Sequence, residues 1–181
     1  MLEKDIKIKV FEYLLKNEKH SVIVPEITLG NDVKMNTTGA VRADVFAVNG
    51  DISIYEIKSE KDSLDRLPNQ IRLYQQYANR VSLVIADKFM NKIDFLPDSI
   101  GIYSYSNKGV KCVRKPTSQP IPLDSYINYW WGSELKEIFR GTKGWSNLFL
   151  SAGIETLKNT LSDEQIKNLT LFRRKERYMD E

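Results

Sequence analysis

The chain has 181 residues, of which 41% are hydrophobic and 28% charged, as in an ordinary globular domain with a real core. Its net charge of +3 and pI near 8.8 make it mildly basic, which is compatible with a nucleic-acid partner but does not indicate one. The longest apolar run, VSLVIA, is far shorter than the roughly 20 residues of a membrane-spanning helix. The charged N-terminus also lacks the apolar centre of a signal peptide, so we expect no membrane partner.

The scarcity of histidine and cysteine limits the chemistry open to one chain. Cys112 is the only cysteine, so no intramolecular disulfide can form, which favours a reducing cytoplasm. His20 is the only histidine, and its polar stretch NEKHS is typical of a surface loop. A zinc finger cannot be built from these two residues, and a Ser-His-Asp mechanism would depend on His20 alone. Metal chemistry here would use oxygen ligands, which suit Mg²⁺ or Mn²⁺.

The first part of the chain predicts one helix and three strands. Apolar residues at helical spacing predict an amphipathic helix over 2–16. An extended segment over 21–29 follows, in which Pro25 indicates an edge strand or a bulge, and 31–39 is a polar loop. Two strands, VRADVFAV and DISIYEIKS, are joined by Asn49-Gly50, a strong hairpin signal.

The middle of the chain alternates between helical and strand patterns. A helix is predicted from Pro68 to about residue 79, followed by a strand over 81–87 that is buried on both faces. A short helix over 89–95 precedes two strands, GIYSYS and GVKCVR. The predicted order is therefore αβββαβ(α)ββ, a mixed α/β fold.

Beyond residue 115 the pattern becomes helical. The proline-rich stretch 116–122 predicts a linker between a first domain, 1–115, and a helical C-terminal region, 123–181. Three helical segments are predicted there: YINYWWGSELKEIF, WSNLFLSAGIETLKNTL and SDEQIKNLTLFRRKERY. Ser162 and Gln165 have the spacing of a capping box at the start of the last one.

A charged pair interrupts the second strand of the hairpin. Residues two apart in a strand share a face, so Glu56 and Lys58 project together. Asp44 lies on the preceding strand, where aspartate is unusual. Two carboxylates can hold a divalent cation that polarises a phosphate, and a lysine can orient the attacking water and stabilise the developing charge. The alternative is a solvent-facing ion pair on a sheet.

Asp44, followed about a dozen residues later by Glu56-Ile57-Lys58, resembles the D…(D/E)xK signature of the PD-(D/E)XK nuclease superfamily. The stretch from Gln70 to Tyr74 matches the QxxxY motif of its RecB-like branch. The whole region is similar to small bacterial and phage members, including MmcB-like DNA-repair proteins. Ala43 stands where the motif has proline, which is commonly replaced.

The resemblance implies a restriction-endonuclease-like fold, a mixed sheet flanked by helices with an αβββαβ core. It also implies Mg²⁺-dependent hydrolysis of nucleic acid, with DNA as the expected partner, in repair, recombination or conflict with mobile DNA. Asp44 and Glu56 would bind the metal, and Lys58 would position the nucleophilic water. Gln70 and Tyr74 would support the site. A catalytically inactive nuclease-fold protein that binds DNA or acts as a scaffold is the alternative.

A further carboxylate could join the metal site, because related sites often take an acid from the segment before the hairpin. Glu26 is the candidate on that segment, and Glu12 on the first helix is its rival. The alternative for Glu26 is an exposed glutamate on an edge strand.

The hairpin turn decides whether Asp44 and Glu56 can meet. A two-residue turn would place Asp44 opposite Tyr55, so that it would point away from Glu56. A three-residue loop, Asn49-Gly50-Asp51, would pair Val48 with the residue after the loop and place Asp44 opposite Glu56. We therefore predict the longer loop, with Gly50 in a left-handed conformation, or a bulge that has the same effect.

Two C-terminal motifs suggest nucleic-acid contact only weakly. Tyr129, Trp130 and Trp131 are more typical of core packing than of base stacking. The basic stretch FRRKER (172–177) predicts a solvated helix face, with phosphate contact as the alternative.

Overall fold

The structure is a computed structural model that describes residues 2–19, 21–29 and 41–179. Within these residues, a mixed six-stranded sheet forms the centre of the protein. The strands are β1 (Val22–Leu29), β2 (Val41–Val48), β3 (Ile52–Lys58), β4 (Arg80–Ala86), β5 (Gly101–Ser106) and β6 (Gly109–Arg114). They lie in chain order across the sheet. Neighbours from β3 to β5 are parallel, and the remaining pairs are antiparallel. Strand β1 lies at an edge, as its proline predicted.

The helices complete the predicted order, which the structure confirms as αβββαβ followed by two strands and a helical region. They are α1 (Glu3–Asn17), α2 (Leu67–Tyr77), α3 (Leu123–Ile127), α4 (Gly132–Ile138), α5 (Leu150–Thr160) and α6 (Asp163–Met179). The predicted helix over 89–95 is a 3₁₀ helix, Asp87–Lys92. The polar loop predicted over 31–39, and His20, lie outside the described residues.

Two C-terminal helix boundaries differ from the prediction, and one is confirmed. The segment predicted as a single helix, YINYWWGSELKEIF, divides into α3 and α4, because the extended backbone of Trp131 caps α4 and Glu134 Oε2 accepts the Trp131 N–H at 2.8 Å. The next predicted helix starts with a 3₁₀ turn, Trp145–Asn147, before α5. The capping box at α6 is confirmed by reciprocal hydrogen bonds of 2.8 and 3.3 Å between Ser162 and Gln165.

Different helices cover the two faces of the sheet. On one face, Tyr13 of α1 packs edge-on against Tyr103, which in turn contacts Tyr55, with ring centres 5.7 and 5.8 Å apart. On the other face, Phe46 packs against Tyr129 from the helical region. Alternation along the strands places Glu56 on this second face, beneath α2.

The hairpin has the predicted three-residue loop. Val48 pairs with Ile52, and Phe46 pairs with Ile54. Gly50 has φ +73°, the left-handed conformation that glycine adopts without steric cost. The Asn49 N–H donates to the Asp51 carbonyl at 3.0 Å. This register keeps Asp44 on the same face as Glu56.

The proline-rich stretch is hydrogen-bonded to the sheet domain. Gln119 exchanges two hydrogen bonds with Asn79, its N–H donating at 2.8 Å and its carbonyl accepting at 3.0 Å. Tyr126 and Leu171, beyond this stretch, belong to the same hydrophobic core as the strands. The division of the chain at residue 115 stays a prediction.

The arginines in the basic stretch of α6 are paired with carboxylates, and one of them is buried, which differs from the predicted solvated face. Arg174 is 2% exposed, and its Nη2 donates to both oxygens of Glu134 at 2.8 and 3.0 Å. Arg177 also contacts Glu134, and Arg173 pairs with two further glutamates. These arginines are held by carboxylates, which the linear sequence could not indicate because Glu134 lies on α4.

The aromatic cluster is only partly a core feature. Tyr129 and Trp130 are buried, as predicted, and the Trp130 Nε1–H donates to Thr170 Oγ1 at 2.8 Å. Trp131 is 57% exposed, and the Arg177 guanidinium stacks 3.4 Å from its ring centre. No helix in the described part of the chain combines the length and apolar character that crossing a membrane requires.

Candidate active site

Asp44 and Glu56 face each other where strands β2 and β3 stop pairing. The last paired residues on this side are Val45 and Tyr55, and continuing the register places Asp44 across from Glu56. Here the Ile57 N–H donates to Asp44 Oδ2 at 2.8 Å. The Asp44 side chain therefore accepts a backbone N–H of β3, and this hydrogen bond holds its carboxylate where the two strands diverge. The register excludes the arrangement in which Asp44 and Glu56 lie on opposite faces of the sheet and could not share a site.

Glu56 is held by three side chains. Lys58 Nζ and Gln70 Nε2 each donate to its Oε1 at 2.7 Å, and Tyr74 OH donates to its Oε2 at 2.5 Å. Glu56 is only 3% exposed, and a buried carboxylate needs such donors to offset its lost hydration. A solvent-facing ion pair of Glu56 and Lys58 is excluded, because Lys58 is only 7% exposed.

The QxxxY residues reach the site from α2. Gln70 and Tyr74 lie four residues apart, one helical turn, and therefore on one face of the helix. Gln70 Oε1 accepts from Lys58 Nζ at 2.8 Å, so its amide joins the lysine and Glu56 into one network. A lysine ammonium has three N–H groups, and the contacts to Glu56 and Gln70 use two of them.

The Tyr74 hydroxyl is also placed against the backbone of β2. It lies 2.9 Å from the Arg42 carbonyl oxygen as well as 2.5 Å from Glu56 Oε2. It has one proton, which goes to the shorter contact with the charged carboxylate. Burial, and then the charge of Glu56, raise the pKa of Tyr74, so the hydroxyl remains a donor at neutral pH.

Asp44 holds its proton unusually tightly for a carboxylic acid. Burial, followed by the charge of Glu56, raises the pKa of Asp44 to about 6, although the Ile57 N–H and Lys7 act in the opposite direction. Two neighbouring carboxylates in a partly buried place repel each other. A hard divalent cation would relieve that repulsion, and oxygen donors of this kind suit Mg²⁺ or Mn²⁺.

Glu26 lies next to this pair but faces other partners. Its neighbours Pro25 and Ile27 pair with residues on either side of Asp44, so its register position is across from Asp44. Its carboxylate, however, contacts Lys7 Nζ at 2.8 Å and Arg42 Nη1 at 3.4 Å.

These contacts bear on the predicted metal ligands. Within residues 2–19, 21–29 and 41–179, no three His, Cys, Asp or Glu side chains converge closely enough to hold a metal ion. Glu26 as a metal ligand therefore stays a prediction that requires its carboxylate to leave Lys7 and Arg42. Its rival Glu12 is exposed on α1, five residues and about 140° around the helix from Lys7.

Lys7 is the site residue that the sequence did not reveal. Its Nζ lies 3.9 Å from Asp44 Oδ1 and 3.8 Å from Glu3 Oε1, one turn earlier on α1. Lys7 follows the buried Ile6, and this position next to the apolar stripe was the available signal. The helical pattern alone cannot say which end of α1 lies near Asp44.

Comparison with known proteins places the chain in a family. A family model described as bacteriophage P4 protein cII matches residues 1–181. The chain belongs to the bacteriophage P4 protein cII family. Protein cII of enterobacteria phage P4 is 28% identical over 185 residues, which cover 97% of this chain and 67% of that protein.

One solved structure shares part of the fold. A protein of unknown function from Silicibacter pomeroyi superposes with a TM-score of 0.50 and 16% identity, over 69% of this chain and 79% of that one. At that identity the likeness shows the fold alone. Neither relative's description names a reaction.

Proposed function

We propose that this protein is a metal-dependent nuclease that hydrolyses phosphodiester bonds of nucleic acid, with DNA as the preferred substrate. The observation that carries the proposal is the register of the hairpin, which places Asp44 and Glu56 across from each other. The two motif residues of α2 are hydrogen-bonded into the same network. Chance matches to a short motif have no reason to meet in this way.

Each side chain has a chemical role in this proposal. Asp44 and Glu56 would hold the metal, and a bound Mg²⁺ or Mn²⁺ would supply charge against the phosphate and acidify a water. Lys58 orients the nucleophilic water with the N–H that Glu56 and Gln70 do not use. Gln70 and Tyr74 fix the Glu56 carboxylate, so that its geometry is set before substrate arrives.

The resemblance to the PD-(D/E)XK superfamily supports the same proposal and extends it to biology. DNA repair, recombination or conflict between host and mobile DNA are the settings it suggests. We place the reaction in the cytoplasm, where the unpaired Cys112 would remain reduced.

A catalytically inactive DNA-binding or scaffolding protein with the nuclease fold is the competing function. The observation that favours it is the engagement of Glu26 by Lys7 and Arg42, which leaves two acids for a metal in this arrangement. The presence of Asp44, Glu56 and Lys58 together favours the enzyme.

The deciding experiment compares the wild type with Lys58→Met on labelled single- and double-stranded DNA, with Mg²⁺ or Mn²⁺. Lys58→Met keeps the aliphatic stem and removes the ammonium, whereas the matched control Lys61→Met changes an exposed lysine three residues later. We expect cleavage by the wild type and the control, and its loss in Lys58→Met when all three are assayed well below the melting temperature of that variant, which loses a buried ion pair. Equal cleavage by all three proteins, or by none, would overturn the proposal.

A further inference from the structure

The carboxylate of Glu26 lies beside the candidate site. Glu26 Oε1 lies 2.8 Å from Lys7 Nζ, and Glu26 Oε2 lies 3.4 Å from Arg42 Nη1. Each oxygen of one carboxylate therefore faces a different cation. An ammonium and a guanidinium around one anion also suit a phosphate, which presents oxygens to the same kinds of N–H donor.

The two cations border the Asp44–Glu56 pair. Lys7 Nζ lies 3.9 Å from Asp44 Oδ1. Arg42 precedes Asp44 by two positions on β2, so both side chains leave the same face of the strand. The Arg42 side chain is 66% exposed, which leaves it within reach of a ligand in solvent. A phosphate held here would be adjacent to the proposed reaction centre.

The backbone of Glu26 is strained. Its φ of +53° is the only positive value for a non-glycine residue within the described ranges. Such outliers persist where the surroundings enforce them, and they gather at functional sites. The Glu26 side chain is 45% exposed, so it can leave its two partners for solvent.

We propose that Lys7 and Arg42 form a phosphate-binding subsite for the nucleic-acid backbone, and that the Glu26 carboxylate occupies this subsite in the free protein. Glu26 then competes with the substrate, which is a different role from holding a metal. The inference takes its ligand from the proposed function but does not depend on cleavage.

The test is binding without divalent cations. Fluorescence anisotropy of a fluorescein-labelled DNA strand and its duplex, in EDTA and over a KCl series, reports the affinity and its dependence on salt. We expect Glu26→Gln to bind DNA about two- to fivefold more tightly than the wild type, because a change of this size corresponds to the free energy that exposed ion pairs contribute. Arg42→Met and Lys7→Met should bind more weakly, each reducing the salt slope by about 1.

The matched control is Glu12→Gln, which removes the same charge from an exposed position elsewhere on the surface. Tightening by Glu26→Gln beyond that control supports the subsite. Glu26→Gln binding no tighter than Glu12→Gln, or Arg42→Met binding as well as wild type, overturns it. If Lys7→Met lowers the melting temperature, the contribution of the cations is judged from the exposed Arg42 alone, by the binding of Arg42→Met.

These outcomes are separable from those of the nuclease test. Loss of the proposed cleavage would leave a metal-free binding difference intact. Conversely, equal binding by these variants would leave the Lys58→Met result intact. Weaker metal-dependent activity in Glu26→Gln, without tighter binding in EDTA, would instead assign Glu26 to the metal.

Discussion

The Tyr74 hydroxyl lies 2.5 Å from Glu56 Oε2, whereas the Tyr77 hydroxyl, three residues later on α2, has no hydrogen-bond partner among the described residues. Tyr74→Phe should lower the free energy of unfolding by about 1–3 kcal/mol, because Glu56 loses a buried donor. Tyr77→Phe removes the same atom from the same helix and should be close to neutral. Urea unfolding measures both, and equal losses would contradict the assigned role of Tyr74.

The Asp44 carboxyl should make stability depend on pH. Its pKa is raised from 3.8 in the unfolded chain to about 6 in the folded protein. The folded state therefore holds this proton more tightly, and the resulting stabilisation is complete below about pH 4 and lost as pH rises through about 6.

Asp44→Asn should remove that dependence on pH, because an amide does not titrate. Its amide oxygen can still accept the Ile57 N–H, so the hydrogen bond is kept. The difference in unfolding free energy between wild type and variant, in EDTA, should change by about 2–3 kcal/mol between pH 4 and pH 7.5, in favour of the variant at high pH. Glu12→Gln serves as the exposed control. A difference that stays constant with pH would contradict the raised pKa.

A divalent cation should stabilise the folded protein through Asp44. At about 100 times its dissociation constant, Mn²⁺ would add roughly 2.7 kcal/mol and raise the melting temperature by about 5–10 °C. Asp44→Asn should lose this increase, and Glu12→Gln should keep it. The same increase in Asp44→Asn would place any bound cation elsewhere.

The loop of the β2–β3 hairpin should tolerate only residues that accept a left-handed backbone. Gly50 has φ +73°, and no atom lies within 4 Å of where its Cβ would be, so Gly50→Ala tests conformation without a clash. We expect Gly50→Ala to lower the free energy of unfolding by about 1 kcal/mol, and Gly50→Asn to lower it less. The control Gly132→Ala should cause no loss. Thermal unfolding distinguishes the three.

The contact of Arg174 with Glu134 should be a major stabilising link between α6 and α4. Arg174→Met leaves a largely buried glutamate with Arg177 and the Trp131 N–H as its remaining partners, and we expect the free energy of unfolding to fall by about 3 kcal/mol. A double-mutant cycle with Glu134→Gln isolates the pair. Additive losses would show that the two residues act independently.

Local rules were sufficient for the order of helices and strands along the chain and for the hairpin. Asn49-Gly50 marked the turn, and the requirement that Asp44 and Glu56 share a face predicted the three-residue loop that the structure has. The spacing of Gln70 and Tyr74 placed both on one helix face. These features depend on residues close in sequence, where period and turn chemistry dominate.

Contacts between distant elements were decided only by the tertiary structure. The basic stretch of α6 predicted a solvated face, but Glu134 of α4 buries Arg174 there. Lys7 meets Asp44 only because α1 crosses the sheet at this end.

The sequence by itself determined which residues we propose for the chemistry: Asp44, Glu56 and Lys58 could be named from motif and register, because strand alternation fixes their faces. The tertiary structure decided what surrounds them. Packing turned Glu26 towards Lys7 and Arg42, and it raised the pKa of Asp44 by burying it beside Glu56. Burial and charge proximity are properties of the assembled fold, and no local pattern encodes them.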